Sequence, residues 1–390
     1  MASITRYKLK SGGTAWKFQA YTASDPKTGE RHKVTRQGFA TKSEAKIKAA
    51  RFEENQRRHG FSESNRLTFQ EVYDSWFEQY KNTVRESTWV KTRDNFRLHI
   101  LPRFGDKILS KITPLDCQTA INEWFAAGFA KYRQFLGMVS RIFKYAIRMD
   151  IAYSNPTVKV IVPVDREKPA TTMKDNYYAL DELKTFFEAA TEFNNPKAYT
   201  LFRLLAFTGM RRGEALALRW SDVDFSAGTI TVDKTVTEGD GYRLMVNSPK
   251  TYASNRNVSV DPKTISILQR RQWEQRQELF AVGMRPVGAD QLIFTSDAND
   301  LLQLTYPQKW LDWIVKAHNK KHPDNPLKRI TVHGFRHTYA TLAHAGNIEA
   351  KEVQAQLGHK RLATTMDIYT SVTDESKSKI ASKFARYVNL

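Results

Sequence analysis

Three short stretches in the C-terminal half of this 390-residue chain gather side chains that handle phosphate and protons. They are Thr208-Gly209-Met210-Arg211-Arg212-Gly213-Glu214, His333-Gly334-Phe335-Arg336-His337, and Leu357-Gly358-His359 with Tyr369 following. A fourth, Pro249-Lys250-Thr251, falls between the first two. Two arginines can bracket the non-bridging oxygens of a phosphodiester and stabilise the charge of a pentacoordinate transition state. Histidines and a lysine can move protons to and from attacking and leaving oxygens. A tyrosine can itself be the nucleophile and store the bond energy in a phosphotyrosyl link. The clusters lack the dense Asp/Glu set of two-metal nucleases, and no Gly-x-x-x-x-Gly-Lys-Ser/Thr loop for ATP occurs.

Taken singly, none of these residues is informative. With 61 Lys and Arg in the chain, an isolated arginine is by default a surface or salt-bridge residue. His333 and His337 have the four-residue offset of a zinc helix, but Gly334 stands where a metalloprotease motif has Glu, and no third ligand has suitable spacing. No metal is therefore expected. Tyr369 is one of 16 tyrosines, and a core role would be its ordinary fate. Order and spacing carry the specificity.

Elements able to position such residues follow from patterning. Residues 14–21 and 33–39 read as strands around a turn at Ser24-Asp25-Pro26-Lys27-Thr28-Gly29. Thr41 with Glu44 then opens a helix whose apolar stripe is Ala45, Ala49 and Phe52. This N-terminal part holds 15 Lys/Arg against 6 Asp/Glu over residues 1–66. Residues 67–160 read as all-helical. Thr68 and Glu71 form a capping box before Phe69, Val72, Tyr73, Trp76 and Tyr80. Ser87 is placed to cap a second helix ending before Pro102. Thr113-Pro114 opens a third that Gly128 closes. A fourth, 131–148, turns Tyr132, Phe135, Leu136, Val139, Phe143 and Ala146 inward and is stopped by Asn155-Pro156. Residues 160–173, with two prolines, read as a linker. Beyond it come a helix capped by Asp181 with Leu183, Phe186 and Phe187 inward, and another over 201–207. A strand over 229–236 and a strand pair around Lys250 follow, and helices resume from Tyr306.

A net charge of +20 and pI near 9.8 point to phosphate backbones as the partner. No run approaches the ~18 apolar residues of a membrane span, and the first residues lack a signal-peptide apolar core. The one cysteine, Cys117, falls in a helix and reads as a buried structural thiol. Together these imply a soluble protein of a reducing compartment.

The ordered set resembles that of the tyrosine recombinases of the phage-integrase family, whose pattern is Arg, Lys, His-x-x-Arg, His/Trp, Tyr. Arg211 matches the first position within TGMRRGEALALRW, and Lys250 the hairpin lysine within SPKTYASNRNV. His333 and Arg336 fill His-x-x-Arg in HGFRHTYAT. His359 takes the His/Trp place in QLGHKRLATTMDIYTSV, with Tyr369 ten residues on. Glu214 matches an acidic position that supports the arginine. The layout is similar to the three-domain, lambda-like integrases of temperate phages and integrative conjugative elements of Gram-positive bacteria.

That resemblance implies a multidomain fold. Residues 1–62 would be a small α+β arm-type DNA-binding domain, a three-stranded sheet plus helix. Residues 63–160 would be an all-α, SAM-like core-binding four-helix domain, and 161–174 a linker. Residues 175–390 would be the mainly α catalytic domain with a small antiparallel sheet. It implies integration and excision of a mobile element between attachment sites. Tyr369 would form a 3′-phosphotyrosyl link while Arg211 and Arg336 hold the phosphate. Lys250 would protonate the leaving oxygen, His333 assist proton transfer, and His359 bond the phosphate. Strands would be exchanged through a Holliday junction. No cofactor is implied. The partners would be double-stranded DNA at core-type and arm-type sites, the chain itself as a tetramer, an excisionase and a DNA-bending host factor. The setting would be the bacterial cytoplasm, at the nucleoid. Lys91, Arg97, Lys131, Arg133, Arg141 and Lys144 are candidate DNA contacts on the helical module. Residues 375–390 could dock on a neighbouring protomer or pack in cis. Two other functions stay open, a type IB topoisomerase-like relaxation and a DNA-binding regulator without catalysis.

Overall fold

The computed structural model describes residues 2–9, 13–22, 31–59, 67–165, 176–248, 255–359, 361–363 and 366. Lys250, Tyr369, the segment 375–390 and positions 166–174 of the linker lie outside the described residues. The chain divides into two compact units, Met1–Asp165 and Arg166–Leu390.

The first unit begins with an antiparallel sheet, β1 (Ser3–Lys8), β2 (Thr14–Tyr21) and β3 (Lys33–Phe39), in that order. Strand β1 escapes a pattern search because its residues SITRYK do not alternate cleanly; the family resemblance alone supplies the third strand. Helix α1 (Lys42–His59) follows, its entry fixed by Thr41, whose hydroxyl accepts from the Glu44 amide at 3.1 Å. Phe18, fully buried, stacks on Phe39 and meets Phe52, and Ala20 and Ala49 complete this small core.

The helical module has its own core. Helix α2 (Phe69–Lys81) starts at the expected capping box, with Thr68 and Glu71 each bonding the other's backbone amide. Phe69, Val72, Tyr73, Trp76 and Phe77 are its buried face. Helix α3 (Glu86–Asn95) departs from expectation. It begins after Arg85, which makes no side-chain cap, and Ser87 lies inside it. Nor does it end before Pro102: a π-helical turn, Phe96–Ile100, carries it into α4 (Leu101–Phe104). The wider turn bonds the Leu101 amide to the Phe96 carbonyl, so the chain advances without the i−4 bond that proline cannot donate. Helix α5 (Pro114–Ala126) is capped by Thr113 with Asp116 and followed by Gly128 in the left-handed region. Cys117 on α5 is buried, and burial pushes its thiol up to about 12, so it is inert. Helix α6 (Tyr132–Arg148) buries Phe135, Leu136, Met138, Val139, Ile142, Phe143 and Ala146. The chain leaving it stays attached. Asn155 caps a 3-10 turn, Gln118 exchanges two 2.8 Å bonds with the backbone of Ile161, and Tyr132 donates to the Pro163 carbonyl.

Gly137 sits in the middle of α6 on its exposed side, and a methyl group there would meet only open space. Glycine in a helix interior costs roughly 0.5–1 kcal/mol relative to alanine. Gly137→Ala is therefore expected to raise the unfolding free energy by about that amount, read from the denaturant midpoint. A fall in the midpoint would show that something unseen occupies that face.

In the second unit, α7 (Leu180–Glu192) buries Leu183 and Phe186. Its cap is not Asp181, which lies in the first turn and pairs with Lys184. Instead Glu182 reaches back to accept from the Ala179 amide at 2.6 Å. Helix α8 (Pro196–Thr208), capped by Asn195, is buried over most of its length and ends at Gly209. Helix α9 (Arg212–Leu216) and strand β4 (Val223–Asp224) lead to β5 (Thr229–Val232) and β6 (Thr235–Glu238). The single strand expected over 229–236 is thus two, broken where Lys234 turns to pair with Asp222 and Asp233. The halves enter different sheets: β4-β5-β8 with β8 (Arg256–Ser259), and a hairpin of β6 with β7 (Leu244–Asn247).

Helix α10 (Pro262–Ala281), opened by Asp261, is absent from the pattern-based reading. Its inner face carries Arg271 and Gln275 beside Ile265, Leu268 and Leu279, which breaks the apolar periodicity. Most of those polar groups are satisfied: the two Arg271 Nη atoms pair with Glu278, its Nε having no partner among the described residues, and Gln275 accepts from the Trp220 indole and donates to the Leu292 carbonyl. Helices α11 (Tyr306–Lys321), α12 (Gly334–Ala345) and α13 (Ala350–Leu357) complete the unit. Phe335 of α12 packs among Tyr178, Phe186 and Phe202. No described helix is long and apolar enough to cross a membrane.

Candidate active site

Helix α8 stops because Gly209 adopts φ 65°, a left-handed conformation open to glycine at little cost. Nothing larger fits, since a Cβ there would run into the Leu357 side chain and lie 2.9 Å from the Tyr339 ring. The turn delivers Arg211 to the N-terminal cap of α9. Glu214, one turn on, accepts from the Arg211 amide at 2.9 Å and from its guanidinium at 2.7 Å. The same carboxylate, 3% exposed, takes Arg256 Nη2 at 2.8 Å. Burial alone would raise the Glu214 pKa; the Arg256 hydrogen bond and the charges of Arg256 and Arg211 outweigh it and hold the group low.

Arg336 comes from α12 and is only 2% exposed. Its Nη1 donates to the Gly209 carbonyl at 2.9 Å and its Nη2 to the Leu357 carbonyl at 2.8 Å. One side chain thereby ties the Arg211 turn to the end of α13. Burial, then the neighbouring Arg211, lowers its pKa, yet at neutral pH it remains a cation. Helix α13 closes at Gly358, again left-handed at φ 68°. His359 follows and is held by Gln354, whose side chain donates to the His359 carbonyl at 2.9 Å.

His333 precedes α12, and its ring meets His337 edge-on with centroids 4.9 Å apart. Among the described residues no group of three or more His, Cys, Asp or Glu is arranged to hold a metal. The two site imidazoles are held in the neutral form. Loss of hydration, then the charges of Arg336 and Arg211, brings His359 down to about 3. Loss of hydration with His337, Arg336, Arg211 and Arg212 nearby brings His333 down to about 4, although its outer edge is open to water.

An unfolded chain takes up protons at these rings near pH 6.5, whereas the native state does so only near pH 3–4. Stability of the DNA-free protein is therefore expected to fall as pH drops from 6.5 toward 4. His359, whose pKa is brought down further, carries the larger part. Denaturant midpoints across that range check this, and His359→Gln should flatten the slope; an unaltered slope would count against it.

Five of the sequence-derived site residues thus meet in space, namely Arg211, Glu214, His333, Arg336 and His359. Lys250 and Tyr369 lie outside the described residues. Arg256 was missed. It stands in the stretch SPKTYASNRNV, but nothing in the spacing there separates it from an ordinary surface arginine. On the helical module, Arg133, Arg141 and Lys144 project from the exposed side of α6 and Lys131 precedes it, while Lys91 and Arg97 are exposed on α3 and the π turn. Arg133 also bonds Tyr132 and the Pro163 carbonyl.

Comparison with known proteins gives three consecutive family matches. Residues 5–56 match the Arm DNA-binding domain, 68–125 the Phage integrase, N-terminal SAM-like domain, and 177–376 the Phage integrase family. The ICEBs1 integrase of Bacillus subtilis is 27% identical over 365 residues, spanning 92% of this chain and 94% of that protein. Among solved structures, the Tn1549 transposon integrase in complex with circular intermediate DNA superposes with TM-score 0.67 at 19% identity, covering 82% of this chain and all of that one. A lambda integrase tetramer bound to a Holliday junction gives TM-score 0.54 at 16% identity, covering 93% and 94%. The last two likenesses establish the fold. The Phage integrase family match alone takes in half of the sequence, and the Arm DNA-binding and SAM-like matches precede it in order; this chain belongs to the phage integrase family and is a site-specific tyrosine recombinase.

Proposed function

We propose that the chain cuts and rejoins DNA through Tyr369, with Arg211, Lys250, His333, Arg336 and His359 as its catalytic set. One observation carries the assignment: Arg336 bonds both the turn that presents Arg211 and the helix end that presents His359. Two fixed guanidiniums can grip a phosphodiester and balance the charge that grows on its equatorial oxygens. The Tyr369 oxygen attacks phosphorus and its proton passes to His333, which is unprotonated at neutral pH. The P–O5′ bond breaks, Lys250 protonates the departing oxygen, and a 3′-phosphotyrosyl link remains. His359 donates to a phosphate oxygen. The 5′-hydroxyl of a partner strand reverses the sequence of steps and exchanges strands.

Residues 1–62 and 63–160 then serve as arm-type and core-type DNA-binding domains, with 161–174 linking them to a catalytic domain from 175 onward. Lys91, Arg97, Lys131, Arg133, Arg141 and Lys144 supply phosphate contacts. A lambda integrase assembles as a tetramer on a Holliday junction, and the same assembly is proposed here. Tethering arm and core binding in one chain raises local concentration and favours an ordered complex.

The test is incubation of the full chain with a core-site duplex nicked so that cleavage cannot reverse, with chelator present. A denaturant-stable protein–DNA adduct joined at a 3′ end is expected. Only reversible, salt-sensitive complexes would overturn the assignment and leave a DNA-binding regulator.

A further inference from the structure

Arg256 makes contacts that the reaction scheme above leaves unused. Its Nη2 lies 2.8 Å from Glu214 Oε2, and its Nε donates to the Gln356 carbonyl at 2.7 Å. The side chain is 7% exposed and faces a carboxylate that is 3% exposed. The positions it joins are 42 and 100 residues away, so local structure alone does not require the contact. Glu214 is the carboxylate that orients the Arg211 guanidinium. Gln356 is the penultimate residue of α13, and Arg336 takes the next carbonyl, that of Leu357.

Two guanidiniums therefore hold successive carbonyls at the end of the helix that delivers His359. The last carbonyls of a helix have no partners within it, and the negative end of its dipole favours cations. Gln356 adds a second tie to the same strand, its side chain bonding both the amide and the carbonyl of Ser259. Strand β8 and the end of α13 thus form one braced unit.

We propose that Arg256 is a positioning residue for strand cleavage, aiming Arg211 through Glu214 and fixing the His359 segment through the Gln356 carbonyl. It touches no reacting atom. It sets the angle at which one guanidinium and one imidazole meet the phosphate, and so acts on the rate and not on the grip for DNA. Lysine cannot replace it fully, because a single ammonium lacks the fork that reaches carboxylate and carbonyl together. The proposal rests on the strand-cleavage assignment given above.

The experiment measures covalent-adduct formation at saturating core-site DNA, core-site Kd and thermal midpoint for wild type, Arg256→Gln, Arg256→Lys, Arg211→Ala and the two doubles with Arg211→Ala. A displacement of catalytic groups by about an ångström is expected to slow cleavage on the order of 10²-fold. Arg256→Gln should show that loss with Kd within about two-fold of wild type, and Arg256→Lys should recover part of it. In the Arg211→Ala background the same substitutions should cost much less, because one of the groups being aimed is gone. Cleavage by Arg256→Gln within about two-fold of wild type would overturn the proposal, as would an equal loss with and without Arg211. If Arg256→Gln does not fold, Arg256→Lys with and without Arg211→Ala decides between the same two outcomes. Absence of adduct in wild type would instead remove the strand-cleavage assignment itself.

Discussion

Phenylalanine at position 369 is expected to leave DNA binding intact and abolish covalent attachment. The substitution removes a single oxygen, and with it the only atom that can join the chain to phosphorus in the scheme proposed. The scheme gives no other group that role, since the two histidines serve in it as proton carrier and hydrogen-bond donor and the arginines are cations without a lone pair to offer. Loss of a nucleophile that acts as part of a set costs more than about 10⁴-fold, and here the product is a discrete adduct that simply fails to appear. Gel analysis of the nicked core-site substrate after denaturation reads it directly. A normal yield from Tyr369→Phe would show that another residue attacks.

Arg336→Lys has the second-largest expected effect, and it acts on both rate and stability. The guanidinium spans the Gly209 and Leu357 carbonyls with two N–H groups at 2.9 and 2.8 Å. An ammonium on a flexible stem reaches at most one of them well. The other carbonyl is then left buried without a partner, at about 1–3 kcal/mol. The rate suffers separately: a preorganised donor aimed at developing phosphate charge is worth on the order of 10²–10³-fold. The variant should thus unfold at lower denaturant and, while still folded, cleave at least that much more slowly. A full loss of stability with cleavage unchanged per folded molecule would place Arg336 in the scaffold alone.

What could be seen in advance depended on whether an element's inner face is apolar. Helices α2, α5 and α6 carry clean apolar stripes, and Thr68 with Glu71 and the pair Thr113-Pro114 mark two of their starts. Helix α10 hides Arg271 and Gln275 inside and gives no such signal, although Asp261-Pro262 is a recognisable opening. The 229–236 stretch alternates like one strand, and only the ion pairs of Lys234 show why it is two. The continuation through Pro102 depends on a π turn, which no local rule anticipates. At the site, residue order named Arg211, His333, Arg336 and His359 because their types are chemically distinctive together, and the family resemblance added Glu214. Arg256 stayed hidden because its meaning lies in partners 42 and 100 positions away.

The end of α13 also decides where such proteins can be recombined with one another in the laboratory. Its last two carbonyls belong, through Arg256 and Arg336, to the body of the catalytic unit. A tail borrowed from a relative and joined before residue 356 would bring helix surface that has never met those arginines. Joined after Gly358, where the chain has already turned away in a left-handed step, the same tail arrives on native footing. The seam for a chimera therefore lies at a glycine, one residue before His359.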